Sequence, residues 1–347
     1  TDEVYLNVYY TLKQSEQLLQ AGHIIAKSQI EVNIPNHKFQ QLSNNLVGHA
    51  EIIAPRIKEP DVNRVIVEGE NFNIEFSKVD GFLCRYDVNG VSMIEKGSSL
   101  TPNFWRAGTD NDYGARLNLK YKVWKNPVMK LNNITSKVEN SMVYVDAEYQ
   151  MPEVFSTLRL SYVINNEGAI QVTQKLLTDK GKKVPNMFRY GMRMRMPKEM
   201  YYSHFYGRGP VENYIDRNHN AFVGIYKMTT QEQFYPYIRP QENGCKTDIR
   251  WWNQTNKGGI GLNFVASKPF SMVALNYTIE SLDDGDLKDQ RHSGQVEPAD
   301  FIEVCIDYAQ QGLGGENSWG STCLPQYRLT YKDYEFTYQI KPLDTVY

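Results

Sequence analysis

No apolar run in this 347-residue chain approaches the roughly 20 residues a helix needs to cross a bilayer. Charge of one sign is not in excess either. Lysine and arginine number 38 against 40 aspartates and glutamates, spread along the whole chain, so neither a nucleic acid nor an anionic membrane surface is an expected partner. Cysteine is sparse: Cys84, Cys245, Cys305 and Cys323 stand alone, and none forms the C-x-x-C pair of a zinc or redox site. They are expected to be small core residues. The opening TDEVYLNVYY has no basic region followed by an apolar stretch, so no secretory leader is visible and the compartment stays open. The nucleophile and nucleotide signatures G-x-S-x-G, H-E-x-x-H and G-x-x-x-x-G-K-[ST] are missing. Helical periodicity is confined to TIESLDD (278–284) and part of RLNLKYKVWKN (116–126).

Period-two alternation fills most of the rest. In FRYGMRMRM (188–196), Phe188, Tyr190, Met192, Met194 and Met196 share one face, and Arg189, Arg193 and Arg195 share the other. Residues 5–10, 64–69, 71–76, 142–149, 158–164, 170–177, 261–266, 271–277, 301–308 and 334–340 alternate likewise. Asn89-Gly90, Asn165-Asn166 and Gly258-Gly259 mark turns between them. Closely spaced strands with few helices predict an all-β chain built as sandwiches. The alternation breaks at EIIAPRIKEPDVNR (51–64), where Pro55 and Pro60 suggest a boundary. The piece ahead of it is too small to be an independent sandwich.

Polar segments interrupt the strand pattern. In NFWRAGTDNDYG (103–114), Arg106, Asp110 and Asp112 crowd together; Asx-rich turns satisfy their own backbone, and the spaced oxygens of a calcium loop are missing, so no metal is expected. YGRGPVENYIDRN (206–218) carries Arg208, Glu212 and Asn213. YIRPQENGCKTDIRWW (237–252) carries Arg239, Glu242, Asn243 and Arg250. Glu212 and Glu242 are either a glycosidase carboxylate pair or members of a buried network that braces long loops. His292, in DQRHSGQ (289–295), is a structural histidine or a base. Finally, GLGGENSWG (312–320) sets the bulkiest side chain, Trp319, among glycines.

AGHIIAKSQ (21–29), FWRAGTDNDYG, YGRGPVENYIDRN, YIRPQENG, Arg291-His292 and GLGGENSWG, in this order, resemble the C-terminal portion of the β-galactosidases of glycoside hydrolase family two. The resemblance covers nearly the whole chain. It implies a partial immunoglobulin-like β-sandwich at 1–58, made of closing strands, and a large galactose-mutarotase-like β-super-sandwich at 62–347. It implies that the catalytic glutamates lie on a (β/α)₈ barrel that this chain lacks, so Glu212 and Glu242 do not inherit their roles and no catalytic residue is expected here. It implies that Trp319 reaches into the barrel's active site as a platform for the galactoside, that no cofactor is held in this chain, and that the chain alone is inactive. Glu316-Asn317 stand where related enzymes often carry two aspartates, which leaves the leaving-group preference open. The partners implied are the galactoside, bound through the rest of the enzyme, and the barrel; a homo-oligomer is left open. Two other functions remain in view. One is a carbohydrate-binding module using Trp251, Trp252 and Trp319. The other is an aldose mutarotase pairing His292 with Glu212 or Glu242.

Overall fold

A computed structural model describes residues 3–32, 46, 53–59, 61–288, 291–317 and 319–343. Parts of the expected first unit and of the 51–64 boundary therefore lie outside the described residues, as do Asp289, Gln290 and Ser318.

The described residues form nineteen strands in three sheets. The first sheet is a hairpin of β1 (Tyr5–Thr11) and β2 (Ile24–Glu31). The second is an antiparallel ladder of β3 (Arg56–Lys58), β4 (Arg64–Glu68), β5 (Phe72–Ser77), β6 (Leu83–Val88) and β7 (Val91–Ser92). Since β3 pairs with β4, this sheet takes in residues on both sides of the 58–62 boundary expected from sequence. The third sheet contains β8 (Thr101–Asn103), β9 (Lys130–Glu139), β10 (Met142–Met151), β11 (Ser156–Ile164), β12 (Ile170–Thr178), β13 (Arg189–Pro197), β14 (Tyr202–Gly209), β15 (Phe222–Thr229), β16 (Lys246–Thr255), β17 (Gly261–Leu275), β18 (Phe301–Gln310) and β19 (Tyr334–Leu343).

The strand β17 organises the large sheet. Its first half pairs with β19, which leads through β12, β11 and β10 to β9. Its second half pairs with β18, which leads through β13 to β8. On its other edge β16, β14 and β15 follow in turn. Sequence reading took β17 as two strands, 261–266 and 271–277; in the structure Lys268 and Pro269 lie exposed between its two apolar stretches. The backbone runs straight through them.

The alternating residues fill the core as expected. Tyr190, Met192, Met194 and Met196 of β13 are buried, as are Val143, Val145, Ala147, Tyr149 and Met151 of β10. The five-stranded sheet lies against β10, β11 and β12: Phe82 stacks on Tyr149, Phe76 meets Tyr162 edge-on, and the Tyr86 hydroxyl donates to the Gly168 carbonyl at 2.7 Å. The two helical segments found in sequence exist as short turns, α2 (Leu117–Lys120) and α4 (Ile279–Leu282). Two others, α1 (Asp110–Gly114) and α3 (Thr230–Gln233), open on capping boxes that sequence reading passed over. No helix among the described residues is long and apolar enough to cross a membrane. All four cysteines are free thiols, with Cys245, Cys305 and Cys323 buried and Cys84 half-buried.

One expectation for β13 fails. Arg189, assigned to an outward face, is 1% exposed, because the loops around Glu242 and the neighbouring strand β18 cover that face. A period-two pattern marks two faces but does not say that only one is covered.

The β1–β2 hairpin docks on the edge strand β15. Gln29 completes the edge as a backbone would: its amide donates to the Val223 carbonyl at 2.9 Å and accepts from the Val223 N–H at 2.8 Å. Arg250 holds Glu3 at 2.9 Å and the Tyr5 hydroxyl at 3.1 Å.

Candidate functional site

Trp319 is 92% exposed. An indole left in water forgoes about 3–5 kcal/mol of burial, so its placement has a cause outside the core of this chain. The loop that carries it is anchored at its base. Arg106 is fully buried and makes a bidentate pair with Asp112, with Nε at 3.0 Å and Nη2 at 2.8 Å from the two carboxylate oxygens. Its remaining donors turn to the loop, Nη1 to the Gln311 carbonyl at 2.6 Å and Nη2 to the Gly312 carbonyl at 3.2 Å. The same Asp112 carboxylate accepts the Thr109 N–H at 3.0 Å and so closes the capping box of α1. On the other flank, the Asp216 carboxylate accepts the Leu313 and Gly314 N–H groups, each at 3.1 Å. A Cβ on Gly312 would stand 2.5 Å from that carboxylate, so only glycine admits the close approach. Gly314 itself has φ +119°.

Three of the polar segments thus meet at one place: Arg106, Asp112 and Asn111 from the first, Asp216 from the second, and the tryptophan loop. The others extend the same rim. Asp284 is clamped between Arg239 at 2.8 Å and Arg291, whose Nε and Nη2 lie at 3.0 and 2.8 Å. Asp110, at the start of α1, pairs with Lys288 and stands 3.8 Å from Arg239. Glu212 accepts from Arg217 at 2.7 Å, from the Tyr237 hydroxyl and from the Gly244 N–H at 2.8 Å. Asn213 is buried. It donates to the Arg208 and Val211 carbonyls and accepts from Thr247. Asn243, also buried, donates to the Gln241 carbonyl at 3.2 Å.

Glu242 sits in a second buried cluster. It accepts from Arg189 at 2.8 Å and from Gln310 at 3.0 Å, and Arg189 also lies 3.2 Å from Asp307. Burial pushes the Asp307 carboxyl up to about 7. Both carboxylates proposed as a catalytic pair are therefore committed to arginines. His292 is exposed, and among the described residues no hydrogen bond joins its imidazole to Glu212 or Glu242. Arg208 and Arg250 serve other places: Arg208 pairs with Asp248 and holds the Ala221 carbonyl at 3.0 Å, while Arg250 holds the N-terminal hairpin. Of the three tryptophans considered as sugar platforms, Trp252 is ruled out. It is 0% exposed and stacked on Phe205. Trp251 is half-buried, edge-on to His204.

Residues missed in sequence are Arg189, Asp307, Asp284 and Lys246. Asp307 and Cys305 alternate with Ile302, Val304 and Ile306, all buried, a pattern that signals a strand covered on both faces. Lys246 is 0% exposed, and its amine donates to the Gly244 carbonyl at 3.0 Å. Burial lowers it to about 8. Between pH 8 and 10.5 the unfolded chain holds this proton and the folded chain does not, so Lys246 costs less stability as pH rises through that window. Lys246→Met is expected to raise stability by about 1–3 kcal/mol at pH 7. That gain should shrink toward pH 10, as read from urea midpoints at several pH values.

The Beta galactosidase small chain family model matches residues 68–340. Proteins named β-galactosidase align along the chain: one from Priestia megaterium at 28% identity over 99% of this chain and 32% of its own length, and one from Streptococcus thermophilus at 27% over 99% and 32%. One from Lactobacillus delbrueckii subsp. bulgaricus aligns at 30% over 79% of this chain and 26% of its own. The chain spans about a third of the length of these relatives. Among solved structures, a galactose mutarotase related enzyme from Lactobacillus acidophilus superposes with a TM-score of 0.47 at 9% identity, over 82% of this chain and 98% of that one.

Proposed function

We propose, from the premise that the chain belongs to the β-galactosidase small-chain family, that it acts as the terminal part of a β-galactosidase and holds Trp319 at the rim of that enzyme's active site. The whole enzyme hydrolyses terminal non-reducing β-D-galactosides with retention, through a covalent galactosyl-enzyme formed on a glutamate of a (β/α)₈ barrel outside this chain. The observation that carries the reading is the 92% exposure of an indole on a loop whose base is pinned by a buried Arg–Asp pair. The apolar C–H face of a sugar ring matches such a surface, and a fixed base places it reproducibly. The polar rim of Arg239, Asp284, Arg291 and Glu212 supports the loop and performs no chemistry.

The N-terminal hairpin fits the same reading. One of its faces, with Tyr5, Asn7, Tyr9, Lys27 and Gln29, lies toward β15. The opposite face carries Leu6, Val8, Tyr10, Ala26 and Ile30, with Leu6, Tyr10 and Ile30 more than half exposed. We take this hairpin as the closing part of an immunoglobulin-like sandwich whose facing sheet comes from elsewhere in the enzyme.

Trp319→Ala in the assembled enzyme should lower kcat/KM on a nitrophenyl β-galactoside by about 10- to 100-fold with thermal stability unchanged, and Trp319→Phe should recover much of it. The chain alone should not turn this substrate over. An alanine variant with unaltered kcat/KM would remove the platform role.

A further inference from the structure

The tryptophan loop closes at its neck. A Cβ built on Gly315 would stand 2.4 Å from the Ser321 Cβ and 2.8 Å from the Ser321 backbone, so the chain comes back on itself there and only glycine fits. Beyond the neck lies a short tip, 316–320, which carries the exposed indole. Three residues of chain span at most about 10 Å, so Glu316 and Trp319 share one small surface.

The two polar residues at the start of this tip are used differently. Asn317 is turned inward: its Oδ1 accepts the Trp319 N–H at 2.9 Å and so fixes the backbone beneath the indole. Glu316 is exposed, and among the described residues no hydrogen bond or ion pair engages its carboxylate. Every other rim carboxylate described above is held by an arginine, a lysine or backbone N–H groups. From Gly312 to Ser321, Glu316 is also the one charged side chain in the sequence. The platform therefore has an uncompensated negative charge beside it, within about one Debye length at physiological salt.

We propose that Glu316 sorts galactosides by the charge of the group beyond the sugar. It admits neutral and amino-bearing aglycones and disfavours carboxylated or sulfated ones. The proposal rests on the reading of Trp319 as the platform, because a galactoside resting on that indole brings its aglycone within reach of the tip. Glu316 acts by attraction and like-charge repulsion, which salt screens. Asn317, neutral and already bonded, adds no charge of its own.

The test uses the assembled enzyme and three phenyl β-galactosides that bear a para hydroxymethyl, carboxymethyl or aminomethyl group. Galactose release gives kcat/KM for each, and the two charged compounds are expressed relative to the hydroxymethyl one. Glu316→Gln should raise the relative value of the carboxymethyl compound about three- to ten-fold and lower that of the aminomethyl compound. Glu316→Lys should carry both further in the same direction, and the effects should fade at about 1 M salt. Relative values that stay within about two-fold of the parent in both variants would overturn the proposal, as would shifts that persist undiminished in high salt. Trp319→Ala distinguishes this failure from that of the platform. If it slows the hydroxymethyl compound while the Glu316 ratios stay flat, only the charge filter falls; if it slows none of the three, the platform falls and the filter with it.

Discussion

Arg106→Ala is expected to lose about 3–5 kcal/mol of stability, one of the two largest effects of any single substitution proposed for this chain. The guanidinium is 0% exposed and its partner Asp112 is 1% exposed. Alanine would leave a carboxylate in the interior without its counter-ion and strip the Gln311 and Gly312 carbonyls of their donors. It would also remove the guanidinium that stacks over the Phe188 ring at 4.7 Å. Arg106→Lys keeps the charge but cannot span Asp112 and two carbonyls at once, so it should fall between alanine and the parent. Urea midpoints measure the loss, and limited proteolysis should find new cleavage between residues 313 and 320. If Arg106→Ala cost less than about 1 kcal/mol, the pair would not be the anchor of the tryptophan loop.

The second large effect depends on pH. Asp307 has both carboxylate oxygens without a hydrogen bond and stands 3.2 Å from Arg189. Burial lifts it from 3.8 to about 7. Between these values the folded chain holds a proton that the unfolded chain has released, so Asp307 supports folding at low pH and withdraws that support as pH climbs toward 7. Asp307→Asn is frozen in the neutral state. Relative to the parent it should gain up to about 4 kcal/mol between pH 4 and pH 8. The comparison between the two proteins matters, because surface carboxylates shared by both cancel. A stability difference that stays flat across the range, or runs the other way, would mean that Arg189 keeps Asp307 ionised throughout.

The architecture was legible where one face of a strand meets the core and the other meets water, as in β10, β11 and β12. It was not legible in β14 and β16, whose Gly207, Arg208, Asp248 and Arg250 read as polar loop, nor in the edge strand β9, mostly exposed and rich in Asn, Lys and Ser. The exposure of Trp319 followed from its glycine-rich setting and the family resemblance. The brace beneath it did not, because Arg106 and Gln311 lie 205 residues apart and no local pattern links them. Arg189 and Asp307 were hidden for another reason: alternation assigns charged residues to solvent by default, and only tertiary packing reveals that the polar face is roofed.

The position of β19 has a consequence for how the chain is made. It is the latest of the described strands to leave the ribosome, yet it lies between β12 and β17, in the middle of the large sheet. Until residues 334–343 emerge, β12 and the first half of β17 each present a bare backbone edge. The nascent chain therefore stays half-zipped from the emergence of β12 until that of β19, and during that interval it is most exposed to mispairing with its neighbours on the same message.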